Sequence, residues 1–154
     1  MKKNKSSKDW LNKKSRDPYF KGSKILGYRS RAVFKLIEMN KKFKFLKKNS
    51  LIIDLGASPG SWSQFASKEI TKGKILAIDI LSMEKINNVE FIRGDFLENK
   101  IYEKILFYFN RKIDVVLSDM AVNTSGNKEL DSYRTGELCL NAMKLSKKIL
   151  HKDG

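Results

Sequence analysis

The chain is a short and strongly basic sequence of 154 residues, of which 41% are hydrophobic and 32% charged. This length and apolar content suffice for one hydrophobic core and are too small for two. A single cysteine excludes a disulfide framework, and no apolar run approaches the roughly twenty residues that a membrane span needs. The lysine-rich start lacks the apolar core of a secretory signal, so we expect one cytosolic domain.

The positive charge is concentrated in the N-terminal third. Residues 1–50 contain seventeen Lys and Arg against three acids, a net charge of +14, whereas the remainder has fifteen against fourteen, a net of +1. Trp10 and Tyr28 are among the aromatics that lie between these cations, a mixture suited to phosphate neutralisation and base stacking. We predict a basic, flexible RNA-binding arm over 1–27 and a single domain over 28–154. A tail that only aids solubility is the alternative.

The first predicted helix runs from Arg31 to about Lys41, with Ser30 in position to cap it. Its apolar residues repeat at helical spacing and leave a charged face that carries Lys35. This face could direct Lys35 over the ends of the predicted strands, toward Asp119. By position alone, an ordinary surface lysine is the better explanation.

Segment 54–62 is the most informative, because it predicts a strand that runs into a tight glycine turn and then a helix. Such a turn lets a ligand approach the backbone closely at the carboxyl end of a strand. Gly56 and Gly60 lie four apart with Pro59 between them, which is not the dinucleotide fingerprint. The Asp54 carboxylate would repel a pyrophosphate but suits a cofactor with a cationic amino-acid end, such as S-adenosylmethionine. An ordinary turn between strand and helix remains the alternative.

Three later apolar runs also finish on an acid. An acid after the second strand can accept hydrogen bonds from both ribose hydroxyls of an adenosine, and one after the third could read an adenine amino group. Any single terminal Asp is more simply explained as a cap or turn residue, but four in register with Asp54 favour a ligand-binding edge. The three runs and their acids are 74–79 with Asp79, 89–95 with Asp95, and 113–119 with Asp119.

Helical patterns at about 62–70, 97–110 and 131–150 separate these runs. Alternating strands and helices predict an α/β fold with a doubly wound, mainly parallel sheet. Right-handed crossovers would gather the strand ends and their acids on one rim of that sheet.

Four motifs follow one another along the chain: YRSRAVFKL at 28–36, DLGASPGSWSQ at 54–64, GDF at 94–96 and SDMAVNTSG at 118–126. They resemble those of the FtsJ/RrmJ family of ribosomal RNA 2'-O-methyltransferases, and the resemblance extends from about Trp10 to the last residue. It implies a Rossmann-like fold and S-adenosylmethionine-dependent methylation of a ribose 2'-hydroxyl. The expected substrate is a uridine of large-subunit, 23S-type ribosomal RNA within the ribosomal particle. The expected enzyme is a cytoplasmic monomer without a metal.

The resemblance also implies roles for individual residues. Lys35 matches the first of the family's two catalytic lysines, and Asp119 would lie beside the methionine end of the cofactor and the reacting centre. A 2'-hydroxyl is a poor nucleophile at neutral pH, so a desolvated neutral lysine, or a cation that stabilises the forming alkoxide, must assist it. The residues implied to bind the cofactor, besides Asp119, are Gly60, Trp62, Asp79 and Asp95.

The chain departs from the family pattern at three places. Val122 replaces a usual proline, and Ser61 replaces the second glycine of the cofactor loop. The family's second catalytic lysine, its usual proton acceptor, would lie beyond Gly154, so we expect missing C-terminal strands, poor stability and little turnover. An inactive or remnant module that binds RNA or cofactor is therefore the second hypothesis. Amino methylation, base-carbon methylation and nicotinamide chemistry fit the motifs less well.

Overall fold

Four strands and five helices make up the part of the chain that the computed structural model describes, residues 17–122 and 124–154. None of these described helices is both long enough and apolar enough to cross a membrane. The strands match the four predicted runs, and the last three helices match the predicted helical patterns, with ends shifted by one to three residues. In chain order the elements are α1 (Pro18–Ile25), α2 (Val33–Phe43), β1 (Leu51–Leu55), α3 (Ser61–Glu69), β2 (Lys74–Asp79), β3 (Glu90–Arg93), α4 (Asn99–Phe109), β4 (Val115–Ser118) and α5 (Lys128–Ile149).

The strands are all parallel, and their order across the sheet is β3, β2, β1, β4. In the centre, Ile53 of β1 lies opposite Leu76 of β2 on one side and Val116 of β4 on the other. The predicted α/β class with a parallel sheet is thus confirmed. After β3 the chain returns to the other side of β1, and open α/β sheets hold ligands outside the carboxyl ends of the strands at such a switch point.

Each face of the sheet is covered by one hydrophobic cluster. Ile53 and Leu55 pack with the helices α4 and α5, whereas Ile52 packs with Leu36 of α2 and Ala66 of α3. Because successive residues of a strand point to opposite faces, β1 is buried at every position. The two clusters hold the helices against the sheet and so determine where the strand ends and their side chains lie.

Helix α1 changes one prediction made from the sequence. Asp17 caps it by accepting a hydrogen bond from the amide of Tyr19 at 2.9 Å. The ring of Tyr19 packs against Phe34 of α2, with centroids 5.3 Å apart. The prediction of a flexible arm therefore does not hold for residues 18–25, because the cap and the contact with α2 stabilise a helix there. The rest of the predicted arm, residues 1–16, lies outside the described residues.

Helix α2 begins two residues later than predicted, and Ser30 is not its cap. The residue just before the helix is Ala32, which has no side-chain acceptor. The Oγ of Ser30 accepts a hydrogen bond from the amide of Ala32 at 3.3 Å, one residue before the helix, and also lies 2.7 Å from the Oγ of Ser61 at the start of α3. This contact joins the beginnings of the two helices that flank the glycine turn, and so places the charged face of α2 beside that turn.

Strand β4 is an edge of the described sheet. The residues after α5 run beside its amino end, where Ile113 and Leu150 form a parallel bridge. The amide of Ile113 donates to the carbonyl of Ile149 at 3.0 Å, and that of His151 donates to Ile113 at 3.2 Å. The imidazole of His151 also contacts Asp114, with 2.9 Å between Nε2 and Oδ1. The end of α5 is therefore attached to the loop that precedes β4.

Candidate active site

The carboxyl ends of the strands surround a cavity of about 580 Å³. Its wall includes Gly56 after β1, Asp79 at the end of β2, Asp95 after β3 and Asp119 after β4. Three of the four acids that the sequence placed in register therefore lie around one cavity. Their carboxylates make this wall acidic, which favours a ligand that carries positive charge.

The turn after β1 depends on a glycine with left-handed backbone geometry. Gly56 has a φ of 71°, and a Cβ atom there would lie 2.1 Å from Cγ of Met120. The amides of Gly56 and Ala57 donate to the carbonyl of Ile78 in β2, at 2.9 and 3.1 Å. A side chain at position 56 would both strain the turn and displace Met120 at the cavity wall. The glycine thus keeps the backbone accessible to a ligand.

Asp79 connects the loops on the two sides of the cavity. Its Oδ2 accepts a hydrogen bond from the amide of Ser58, and its Oδ1 accepts one from the amide of Leu81, both at 2.8 Å. A carboxylate offers roughly four lone-pair sites, so each oxygen can accept a further hydrogen bond. The carboxylate is therefore held in one orientation and retains enough acceptor capacity for two hydroxyl groups of a ligand.

Asp95 is oriented by the backbone that follows it. Its Oδ1 accepts a hydrogen bond from the amide of Leu97 at 2.9 Å. The preceding Gly94 donates its amide to the carbonyl of Asp79 at 2.9 Å, which ties the turn after β3 to the end of β2. Asp79 and Asp95 therefore form one continuous acceptor wall on neighbouring strands.

Lys35 and Asp119 form an ion pair beside the cavity, although 84 residues separate them in the chain. The distance between Nζ and Oδ1 is 2.7 Å, and the two side chains are 65% and 33% exposed. The structure thus places Lys35 toward Asp119, as the charged face of α2 indicated. The Lys35 side chain is thus largely open to solvent, and its Nζ lies beside the Asp119 carboxylate at the cavity wall.

Gly60 and Trp62 are not among the described residues that line the cavity. Gly60 has a φ of 103° and directly precedes α3, and a Cβ atom there would lie 2.7 Å from Nη1 of Arg29. Trp62 is buried, and its Nε1 donates to the carbonyl of Ala32 at 2.8 Å. Both residues pack behind the loop. Their contact with a cofactor, implied by the family resemblance, stays a prediction.

Asp54, the fourth acid, lies inside β1 with only 2% of its surface exposed. Its Oδ2 accepts a hydrogen bond from Oγ of Ser63 at 2.6 Å. Burial disfavours the charged carboxylate and raises the pKa of Asp54 from 3.8 to about 7, against the opposing effect of the Ser63 hydrogen bond. The negative charges of Asp79 and Asp119 raise this pKa further. Asp54 is therefore a buried group beneath the rim that responds to charge at the rim.

Arg29 joins three segments around the glycine turn. Its Nη1 donates to the carbonyls of Pro59 and Glu84, both at 2.9 Å, and its Nη2 donates to the carbonyl of Lys85 at 3.1 Å. The planar guanidinium suits several acceptors in fixed directions, which an ammonium does not. Arg29 is therefore a positioning residue that holds the glycine turn against the loop after β2.

The sequence contained one signal for this role, the motif at 28–36, but it did not separate the two arginines in that motif. Arg31 forms an ion pair with Asp17 and is 64% exposed, whereas the side chain of Arg29 is 18% exposed. Spacing alone makes the two look equivalent. Only the approach of the loops around residues 59 and 85 gives Arg29 its three acceptors.

The family model of FtsJ-like methyltransferases matches residues 28–154. The chain belongs to the FtsJ-like methyltransferase family. The match spans Lys35, the glycine turn and all three acids of the cavity wall, so the resemblance seen in the four motifs is confirmed. It begins at Tyr28, just beyond helix α1.

Relatives from other organisms extend this result. Ribosomal RNA large subunit methyltransferase E of Pelagibacter ubique is 51% identical over 154 residues, which cover 100% of this chain and 76% of that protein. The protein of the same name from Acinetobacter baylyi is 44% identical over 152 residues, which cover 97% of this chain and 70% of that protein. Among solved structures, a ribosomal RNA methyltransferase from Plasmodium falciparum matches with a TM-score of 0.74 and 38% identity, covering 80% of this chain and 73% of that one.

Proposed function

We propose that this FtsJ-like protein methylates a ribose 2'-hydroxyl, expected to be that of a uridine, in large-subunit ribosomal RNA, with S-adenosylmethionine as the methyl donor. The observation that carries the proposal is the ion pair of Lys35 and Asp119 beside a cavity with an acidic wall. The names of the relatives, ribosomal RNA large subunit methyltransferases, support the substrate class.

The acidic wall suits the two ends of S-adenosylmethionine. We expect Asp79, which retains acceptor capacity, to bind the two ribose hydroxyls, and Asp95 on the neighbouring strand to accept from the adenine amino group. Asp119 adds negative charge for the cationic methionine end. A cavity of about 580 Å³ lies within the range that accommodates a ligand of this size.

The ion pair supports a role for Lys35 as a fixed cation. When bound, S-adenosylmethionine supplies a methyl group that is activated by attachment to a positively charged sulfur. The 2'-oxygen would form a bond to the methyl carbon as the carbon–sulfur bond breaks and the sulfur leaves as a neutral thioether, and the hydroxyl proton would pass to solvent water, to which the pair is open. The Lys35 ammonium would stabilise the negative charge that develops on the oxygen. Asp119 holds the ammonium at 2.7 Å and so orients it toward the reacting hydroxyl.

Cations on the N-terminal helices support an RNA substrate. Lys21 and Lys24 of α1 and Arg31 before α2 are exposed, and α1 packs against the helix that carries Lys35. Positive charge on this side would bind the phosphates that flank the reacting ribose. A substrate in the ribosomal particle places the reaction in the cytoplasm.

The test is methyl transfer from labelled S-adenosylmethionine to protein-free ribosomal RNA and to large ribosomal subunits. We expect slow transfer of label to a ribose, since the family's second catalytic lysine would lie beyond Gly154. Label on a ribose is recognised because a 2'-O-methylated linkage resists alkaline hydrolysis. Asp119→Asn and Lys35→Ala should each lower the rate at saturating cofactor by about 10²-fold or more, the range for loss of one charge-stabilising group. Lys41→Ala, an exposed lysine near the end of α2, is the matched control and should leave the rate unchanged.

Label on a base nitrogen or carbon would refute the ribose assignment. An unchanged rate in Asp119→Asn would refute the role of its carboxylate. Binding of RNA and cofactor with no transfer to either substrate would favour the second hypothesis, a module that binds both and does not catalyse.

A further inference from the structure

A second concentration of cations lies at the amino ends of the strands, away from the cavity that holds Lys35. We define the amino-end surface as the segments that precede β1, β2 and β4 together with the segment that ends α5; the start of β3, which carries the exposed Glu90, is not part of it. All ten Lys and Arg residues in these segments are exposed, and only two acids, Asp114 and Asp153, accompany them. The segments are 44–50, 71–74, 110–114 and 147–154.

These segments form one continuous surface, because parallel strands all begin at the same edge of a sheet. The amide of Lys72 donates to the carbonyl of Lys48 at 2.7 Å, which joins the loops before β1 and β2. The amide of Asp114 donates to the carbonyl of Leu51 at 2.9 Å and joins the loop before β4. The bridge between Ile113 and Leu150 adds the end of α5.

The charge of this surface contrasts with that of the opposite edge. With ten cations and two acids, the amino-end surface has a formal charge of +8. The segments at the carboxyl ends, 54–60, 79–89, 93–98 and 118–122, contain six acids and two cations, a charge of −4. Like charges held this close repel one another, so a cluster of this kind favours a polyanionic partner.

The amino-end surface is concave where segments 110–114 and 147–154 meet the end of α4. A cavity of about 380 Å³ opens there, with Arg111, Lys112 and Lys148 beside the apolar Phe109 and Ile149. The ammonium of Lys112 donates to the carbonyl of Lys148, so two of these cations are held together.

Aromatic rings accompany the cations of this surface. Lys148 lies 5.7 Å from the ring centroid of Tyr102, and Lys74 lies 5.2 Å from that of Tyr108. Cations and aromatic rings around a groove are the combination that tracks a nucleic-acid strand.

We propose that the amino-end surface is a second RNA-binding face, which contacts backbone phosphates through cations that include Lys48, Lys72 and Arg111. The inference rests on the proposed RNA substrate and adds a contact that the reaction itself does not require. The five residues of β1 separate the two edges by about 17 Å, at roughly 3.3 Å per residue. An RNA that uses both faces must therefore fold around the domain, as a structured ribosomal RNA does and a trinucleotide does not.

The test compares a triple variant with a matched control in the full chain. Lys48→Gln, Lys72→Gln and Arg111→Gln remove three charges from side chains that make no hydrogen bond or ion pair among the described residues. The control replaces three exposed lysines of α4 and α5 and removes the same charge elsewhere. The control substitutions are Lys104→Gln, Lys128→Gln and Lys144→Gln.

Binding of a long transcript of large-subunit ribosomal RNA, of large ribosomal subunits and of an RNA trinucleotide is measured across a salt series. For the transcript, the triple variant should lose ten- to a hundredfold in affinity at 0.1 M salt. The slope of the logarithm of its binding constant against the logarithm of salt concentration should fall in magnitude by about 2, at roughly 0.7 for each lost phosphate contact. Trinucleotide binding and the control variant should stay within about twofold of wild type, because at that salt exposed charges beyond a Debye length of about 10 Å are largely screened.

Three results would overturn the proposal. Equal transcript affinities for the triple variant and the control would mean that the amino-end surface does not bind RNA. Weaker binding to ribosomal subunits alone, with unchanged binding to the transcript, would assign the surface to a protein partner. Wild-type protein that binds neither RNA would overturn both this inference and the proposed function. If the protein methylates the trinucleotide normally and the triple variant binds the transcript as tightly as wild type, only this inference is overturned.

Discussion

Replacing Asp54 by Asn tests the buried carboxyl beneath the candidate active site. The amide of Asn has nearly the same shape, and its oxygen can still accept the hydrogen bond from Ser63 that Asp54 accepts at 2.6 Å. The substitution removes the ability to ionise and replaces one carboxylate oxygen by an amide NH2 group. The effect of the NH2 group does not depend on pH, so the change of the stability difference with pH isolates the free energy that the buried charge contributes.

The magnitude follows from the pKa of Asp54, which burial raises from 3.8 to about 7. Because the folded-state pKa lies above the unfolded value, the folded protein retains a proton that the unfolded chain has released between these two pH values. The contribution of Asp54 to stability is therefore greatest below about pH 4 and is lost as the pH rises to about 7. At about 1.36 kcal/mol for each pKa unit, the full loss is about 4 kcal/mol.

The assay is urea unfolding of both proteins at several pH values from 4 to 8. Near pH 4 the two free energies of unfolding should agree closely, and by pH 8 Asp54→Asn should be the more stable by up to about 4 kcal/mol. All other titrating groups are common to both proteins, so they cancel in the difference. A difference that does not change with pH, or that has the opposite sign, would refute the assignment of a buried carboxyl with a raised pKa.

Three further substitutions test the architecture of the glycine turn. Arg29→Lys should weaken S-adenosylmethionine binding by about 1–3 kcal/mol in calorimetry, because an ammonium does not reach three carbonyl acceptors in fixed directions. The control Arg31→Lys should have little effect on this affinity, and equal effects of the two substitutions would refute the positioning role of Arg29. Gly56→Ala should lower the free energy of unfolding in urea by about 1–2 kcal/mol, because its φ of 71° disfavours a side chain, and an unchanged midpoint would contradict this. Trp62→Phe should cost about 1 kcal/mol of stability in urea through the lost hydrogen bond to Ala32, and an unchanged midpoint would contradict this. The same variant should bind S-adenosylmethionine more weakly if Trp62 contacts the cofactor, and unchanged affinity would refute that predicted contact.

The sequence alone was enough to predict the sheet and its acidic rim. Each strand is a short apolar run that ends in Asp or in a glycine turn, and both signals are local, because they depend on neighbours within a few residues. Alternation with helices then required parallel strands, and parallel strands place their carboxyl ends at one edge. For this reason the pattern of residues was sufficient to bring Asp79, Asp95 and Asp119 to one edge of the sheet, where the cavity lies.

The tertiary structure decided what the individual side chains do. Four acids looked alike in the sequence, yet Asp54 is buried against Ser63 while the other three surround the cavity. Two arginines two residues apart looked alike, yet only Arg29 reaches the loops around residues 59 and 85. These differences arise from contacts between segments that are distant in the chain, and local patterns do not specify which segments meet.

The same reason explains the helix that was not predicted and the second charged edge. Helix α1 is stabilised by the packing of Tyr19 against Phe34 on α2, although the composition of residues 1–27 resembles that of a flexible arm. The lysines of the amino-end surface are scattered over more than a hundred positions of sequence, and only the common start of parallel strands brings them together. Composition and periodicity determined the class of fold and the chemistry of its rim, whereas burial and long-range contacts determined which residues serve that chemistry.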